Sequence, residues 1–322
     1  MRAAVFSERG PSSVISVRDI PDLEPGPGQV RVRVAFSGVN PTDWKMRSAG
    51  DPLPWEFAVP NQDGAGTIDA VGAGVDPARI GQRVWFSFAA WQSRWGSAAE
   101  HSLMAAERAV PLPDVTSFAQ GAATGIPFIT AHRCLNADGP VDGLTVLVAG
   151  GAGAVGHAAI QLARLSGARV ITTVSNAEKA AIAATARPDV IINYREGDTI
   201  EQVRAAAPDG VDRIIEVALT DNLTLDMAVL KTFGSIVTYA NQPQEPTIPV
   251  RPSMFGNINY RFMIMYLLTQ PMLDHAYGDI TAHLAAGSLV GLPEHRFTLD
   301  QTAAAQDAVQ GNAVGKVLIE IQ

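Results

Sequence analysis

Apolar positions follow two different rhythms along the chain. From residue 144 onward, short and nearly continuous apolar runs alternate with stretches of helical spacing. An apolar run at 144–149 leads through a glycine-rich turn into an amphipathic helix that closes at Gly167. Strand patterns then recur at 169–175, 189–194, 211–217 and 234–241, and helical patterns lie between them at 177–186, 199–207 and 222–232. Strands that are apolar throughout and separated by helices predict a parallel sheet covered on both faces. The first third has another texture. Residues 30–37 read Val-Arg-Val-Arg-Val-Ala-Phe-Ser, the alternation of a half-buried strand. Shorter strands are predicted at 64–71, 83–88 and 99–103, punctuated by glycine and proline at 25–28, 72–74 and 111–113. That predicts a compact β-rich domain. Beyond 241 the pattern is Met- and Tyr-rich and helical. A last strand at 316–321 is predicted to rejoin the sheet of the first domain.

The class is therefore α/β. With 322 residues and 47% hydrophobic content, two domains can each bury a core. The net charge of −8, with scattered basic residues, argues against a nucleic-acid partner. No run of about 18 uncharged apolar residues occurs, so no membrane span is expected. The first ten residues lack the apolar stretch of a signal peptide, which predicts a cytoplasmic protein. Cys134 is the only cysteine, which excludes an intramolecular disulfide and a multi-cysteine zinc site. The six histidines show no metal spacing.

Chemistry enters at the glycine turn. Gly150, Gly153 and Gly156 are spaced G-x-x-G-x-x-G, and Ala154 and Val155 open the helix that follows. Such a turn brings a pyrophosphate to free N–H groups and to the positive end of the helix dipole. A tight strand-to-helix turn without a ligand is the alternative for the triplet alone. The alternating strands and helices around it favour the doubly wound dinucleotide fold.

Several segments in order resemble one family. Gly38-Val39-Asn40-Pro41-Thr42-Asp43, Gln62-Asp63-Gly64-Ala65-Gly66, Gly125-Ile126-Pro127-Phe128-Ile129-Thr130-Ala131 and Gly315-Lys316-Val317-Leu318 are similar to segments of the zinc-independent, zeta-crystallin-like quinone oxidoreductases. These belong to the medium-chain dehydrogenase/reductase superfamily, and the likeness covers nearly the whole chain. It implies an N-terminal GroES-like β-rich catalytic domain, residues 1–122, completed by 266–322. It also implies a Rossmann nucleotide-binding domain with a doubly wound parallel sheet, residues 123–265. Zinc-dependent relatives carry cysteine and His-Glu where this chain has Asn40, Gln62 and Asp63. An amide is a poor zinc ligand, so no metal is expected.

The resemblance implies NADPH, held by Gly150, Gly153, Ala154, Val155 and Gly156 and, at its 2′-phosphate, by Ser175, Lys179 and Tyr194. The chemistry agrees. An NAD site places an acid about 20 residues past the first glycine, whereas the second strand here ends Thr-Thr-Val-Ser-Asn. A phosphate needs donors and a cation instead. Ser175 can also serve as a helix cap, Lys179 as an exposed helix lysine, and Arg195 as a solvated loop charge. Asn241, Gly315 and Lys316 are expected beside the nicotinamide and its phosphates.

On the acceptor side, the resemblance puts Asn40 next to the nicotinamide or acceptor and Thr130 on the nicotinamide ribose. An Asn-Pro turn is the plainer role for Asn40. Asp43 either fixes that loop or takes part in chemistry. Lys45 stands where zeta-crystallin has tyrosine and where enone-reducing relatives have lysine. There it could stabilise an oxyanion, or it is a surface lysine. Trp55, Phe57, Trp91, Trp95, Met254, Phe255, Tyr260, Met263, Met265 and Tyr266 are candidates to roof an apolar acceptor pocket. The segment 254–268 reads equally as core or as a dimer helix. The expected protein is an NADPH-dependent quinone oxidoreductase, dimeric by resemblance, with no metal. Two rivals stay open: a reductase of the C=C bond of enones, enals or acrylates, and a non-catalytic NADPH-binding, crystallin-like protein.

Overall fold

The computed structural model describes residues 1–321. In chain order the elements are β1 (Arg2–Val5), β2 (Ser16–Asp19), β3 (Gln29–Val39), α1 (Pro41–Ser48), β4 (Asp63–Val71), β5 (Arg83–Phe86), β6 (His101–Ala105), β7 (Ala109–Pro111) and α2 (Phe118–Leu135). There follow β8 (Thr145–Val148), α3 (Ala154–Leu165), β9 (Arg169–Val174), α4 (Ala177–Thr185), β10 (Val190–Asn193), α5 (Thr199–Ala206), β11 (Val211–Glu216), α6 (Leu219–Val229), β12 (Leu230–Thr238), α7 (Val250–Gly256) and β13 (Asn259–Phe262). The last elements are α8 (Gln270–Ala285), β14 (Glu294–Thr298), α9 (Thr302–Gln310) and β15 (Lys316–Glu320). They divide into two compact units. Met1–Ile126 with the chain from Tyr277 onward forms one, and Pro127–Ala276 forms the other. No described helix is long and apolar enough to cross a membrane.

The first unit is built on a seven-stranded sheet ordered β14-β15-β3-β4-β5-β7, with β6 also paired to β3. The alternation of β3 sends Val30, Val32 and Val34 into a core with Ile68, Val84 and Phe86. The late strand β15 does join this sheet. It runs antiparallel to β3, with Val317 opposite Val39. That register brings Lys316 beside Asn40, the residue that precedes α1.

The second unit holds a six-stranded parallel sheet ordered β10-β9-β8-β11-β12-β13. Strand order reverses between β8 and β11, the position where doubly wound folds bind ligands at the carboxyl ends of their strands. Leu147, Ile171, Ile192, Ile214 and Ile236 fill one side of the sheet.

One segment differs from the sequence expectation. Residues 254–268 are not one helix. Asn257 adopts φ +45°, which a short polar side chain tolerates and which stops α7. Asn-Tyr-Arg-Phe then adds β13 to the sheet edge. The helix α2, for which the sequence set no expectation, runs through Pro127.

Candidate active site

The glycine turn follows β8 at the strand-order switch. Gly150 has φ +71°, and the Gly153 N–H donates to the Gly150 carbonyl at 2.9 Å. Gly153 precedes α3, and by helix geometry the N–H groups of Ala154, Val155 and Gly156 have no carbonyl partner within the helix. A Cβ on Gly156 would lie 2.3 Å from the Gly150 carbonyl oxygen. A Cβ on Gly151 would lie 2.1 Å from Thr172 Oγ1, which itself donates to the Val148 carbonyl. Gly151, absent from the spaced triplet, is thus a second close-approach glycine. The cradle is backbone-lined, carries free donors, and has the form that fits a diphosphate.

Ser175 follows β9 and is buried; the Tyr194 N–H donates to the Val174 carbonyl, so the ends of β9 and β10 lie side by side. The helix-cap alternative for Ser175 does not hold, because Asn176 caps α4 by accepting from the Lys179 N–H at 2.8 Å. Lys179 is half-buried in the first turn, and Tyr194 and Arg195 are exposed. No carboxylate ends β9. Asn241 lies beyond the end of β12, exposed in a loop, because that strand closes at Thr238 rather than at 241.

In the first unit, Asn40, Asp43, Asp63 and Lys316 are all buried together. The Asn40 side chain has two partners: its Nδ2 donates to Asp63 Oδ2 and its Oδ1 accepts from Lys316 Nζ, each at 2.7 Å. Lys316 Nζ also donates to the Val39 carbonyl at 3.2 Å. Asp63 further accepts from the Ile126 N–H at 3.0 and 2.9 Å to its two oxygens. Burial pushes the Asp63 carboxyl up to about 6, while the Lys316 ammonium, Asn40 and the Ile126 N–H pull it down. Burial lowers Lys316, and Asp63 and Asp43 raise it. Asp43 Oδ2 accepts from the Asn40 N–H at 2.7 Å, whereas Oδ1 has no partner among the described residues. Burial pushes Asp43 up to about 8. A cavity of about 50 Å³ opens beside it, lined by Met46, Leu53, Trp55, Gln62 and Ala90 among others. Gly315, at φ +126°, leads Lys316 into this cluster, where a Cβ on Gly315 would lie 2.4 Å from the Pro293 carbonyl oxygen.

Other expected residues take no part in the hydrogen bonds of this cluster. Lys45 is exposed on α1, its ammonium 5.8 Å from the Trp44 ring centroid. Thr130 is buried in the second unit, its hydroxyl 3.3 Å from Met265 Sδ. Within the first unit the aromatic candidates are not gathered in one place. Trp55 lines the small cavity, but Phe57 and Trp95 stack with Arg94 elsewhere in the first unit, and Met254 and Phe255 are exposed.

Comparison with known proteins agrees with this layout. Residues 26–114 match the alcohol dehydrogenase GroES-like domain and residues 154–277 match the zinc-binding dehydrogenase family. The mouse quinone oxidoreductase is 34% identical over 330 residues, covering 99% of this chain and 97% of that protein. The chain belongs to the quinone oxidoreductase family. Among solved structures, this family member is similar to a mycobacterial protein complexed with NADPH, with a TM-score of 0.87, 27% identity and full coverage of both chains. It is also similar to an NAD-dependent alcohol dehydrogenase, with a TM-score of 0.88, 25% identity and full coverage of both. In this quinone oxidoreductase-family chain, the zinc-binding name attaches to residues 154–277, outside positions 40, 62 and 63. Those positions offer two amides and a carboxylate already committed to Asn40 and Ile126. That donor set does not fit a zinc site built from thiolate, imidazole and carboxylate. Sequence reasoning missed that Ile126 holds Asp63. The only signal was the glycine before it, since a Cβ on Gly125 would lie 2.2 Å from Asp63 Oδ1.

Proposed function

We propose that this oxidoreductase uses NADPH to reduce quinones and does so without zinc. The observation that carries the reading is the buried chain Lys316–Asn40–Asp63. A lysine ammonium supplies positive charge among the buried carboxyls and holds the Asn40 amide oxygen, while Asp63 holds the amide nitrogen. One Asn40 Nδ2–H is then left to donate to an acceptor oxygen or to the carboxamide of the cofactor. A simple alcohol or ketone needs a Lewis acid to stabilise alkoxide; a quinone is already a good hydride acceptor and needs only orientation and a donor. NADPH, when bound, supplies the hydride, and one proton from solvent completes the hydroquinone.

The cofactor half rests on the glycine cradle and on the β9 end. Ser175, Lys179 and Tyr194 offer two hydroxyls and a cation where an NAD site would carry an acid. Lys45, the residue that pointed towards enones, is exposed and outside the buried chain. Asn241 and Thr130 remain proposed ribose and nicotinamide neighbours. Purified protein is assayed for NADPH oxidation with quinones and with enones or acrylates. Turnover of quinones is expected. Reduction of enones without quinones overturns the acceptor class. Tight NADPH binding with no oxidation across the panel overturns catalysis itself.

A homodimer through β13 is also proposed. This strand is the free edge of the parallel sheet, and Phe255, Phe262 and Leu267 around it are 75%, 70% and 76% exposed. An open edge beside large apolar side chains invites pairing, and a second copy related by a twofold axis covers both. Light scattering should show a dimer that the double substitution F262E/L267E converts to monomer. A monomeric parent chain refutes it. A cytoplasmic location fits a chain whose one cysteine is free and buried.

A further inference from the structure

Two carboxyl groups in the second unit have no part in the chemistry above. Glu216 is the last residue of β11, beside β8 at the strand-order switch, and Asp226 lies on α6. They are 1% and 0% exposed. Glu216 Oε1 accepts from the Ala218 N–H and from Asn222 Nδ2, the latter at 3.0 Å. The Val217 N–H also lowers the Glu216 carboxyl, whereas the oxygens of Asp226 have no donor among the described residues and Glu216 is the group that interacts with them. Two ionised carboxylates in buried contact repel strongly, so such a pair keeps one proton between them. Tyr239, beyond the end of β12, is buried and held neutral by that burial, with Cys134 and the Glu216 charge acting in the same direction. Asp226 is raised by burial first and then by Glu216, and nothing lowers it.

The position of the pair gives it a task. The residues after Glu216 form the turn into α6. Val217 Cγ1 lies 3.4 Å from where a Cβ on Gly150 would sit. The Ala149 N–H donates to the Ile215 carbonyl at 3.0 Å, so the end of β11 is bonded directly to the entrance of the glycine turn. We propose that Glu216 and Asp226 share one proton and, in that state, pin the Val217–Ala218 turn behind Gly150, which makes them positioning residues for the dinucleotide diphosphate. This rests on the NADPH reading above. Loss of the shared proton removes the carboxyl–carboxyl hydrogen bond and sets two buried negative charges against each other. The turn behind Gly150 then shifts and the cradle loosens.

The sign is fixed by the direction of the shift. A raised carboxyl stays protonated through neutral pH, so the site is intact there and is lost on the alkaline side. The test compares the wild-type chain with Asp226→Asn, which still donates to Glu216 but cannot titrate. NADPH dissociation constants are measured from pH 7 to pH 10. Beyond the midpoint the wild type should lose affinity by about tenfold per pH unit, while Asp226→Asn stays level apart from a drift common to both. Amide-exchange protection of residues 150–156 is measured over the same range in the unliganded protein. It should fall in the wild type only. Parallel pH dependence in the two proteins overturns the proposal. So does a wild type whose melting temperature falls with pH while 150–156 protection and NADPH affinity hold, because the pair is then merely structural. Absence of NADPH binding at pH 7 refutes the cofactor reading alone, and the exchange measurement still decides the role of the pair.

Discussion

Replacing Lys316 by methionine keeps the length of the side chain and removes its charge. Lys316 is 3% exposed and Asp63 is 0% exposed, with Asn40 bonded between them. Removing one partner from a buried charged pair costs about 3–5 kcal/mol. The pH dependence can be worked out. Asp63 is raised from 3.8 to about 6 in the folded chain. A raised carboxyl penalises the folded state above its unfolded value. Here the penalty grows between pH 3.8 and pH 6 and reaches about 3 kcal/mol for a lift of this size. Without the ammonium, the folded-state value climbs further and the penalty at neutral pH grows with it. At pH 5 Asp63 is already mostly protonated in the wild type, so the charge part of the deficit shrinks. Urea unfolding of the wild type, Lys316→Met, Asp63→Asn and the double variant should show a deficit of about 3–5 kcal/mol for Lys316→Met at pH 7.5. It should be less than half of that at pH 5. The double variant should recover about 1–3 kcal/mol as coupling. An equal deficit at both pH values, together with additivity in the cycle, would refute the view that this ammonium compensates Asp63.

Other outcomes follow from the same geometry. Lys179→Ala should weaken NADPH by about tenfold or more, the loss of one charge-assisted contact, and leave NADH nearly unchanged; equal losses by titration calorimetry would remove Lys179 from the phosphate site. Gly156→Ala gains about 1 kcal/mol of helix propensity but sets a Cβ 2.3 Å from the Gly150 carbonyl oxygen. The expected net result is a loss of about 1–2 kcal/mol in melting experiments and a larger loss of NADPH affinity, and a variant as stable and as tight as the parent would contradict the close approach. Metal analysis of purified protein should find no stoichiometric zinc, and chelation should leave turnover unchanged; one zinc per chain that is lost on Asp63→Ala would overturn the donor-set argument.

The parallel sheet was legible because its strands are apolar throughout and each is punctuated by a turn. The glycine turn was legible because its residues are contiguous in sequence. The active-site cluster was legible only in part. Asn40, Asp43 and Lys316 could be singled out, but not the hydrogen bond that joins Lys316 to Asn40. That bond spans 276 residues, and no local pattern encodes a strand register so remote. The helix α2 had no sequence expectation, and with it the Ile126 donor to Asp63 was missed. No local pattern marks Glu216 and Asp226 as a pair. Only the packing of α6 shows that both are fully buried.

The pairing of β15 with β3 has a consequence for how the protein is made. The unit of residues 127–276 is continuous in sequence and can fold as soon as it has left the ribosome. The first unit cannot, because β15 is the last of the described elements to be synthesised. During the seconds of synthesis that separate Asn40 from Lys316, the sheet edge at 36–39 stays unpaired and Asp63 lacks its cation. A nascent or truncated chain ending before residue 316 should therefore hold a folded nucleotide unit next to an open, aggregation-prone sheet. Catalytic competence would then arrive in a single late step.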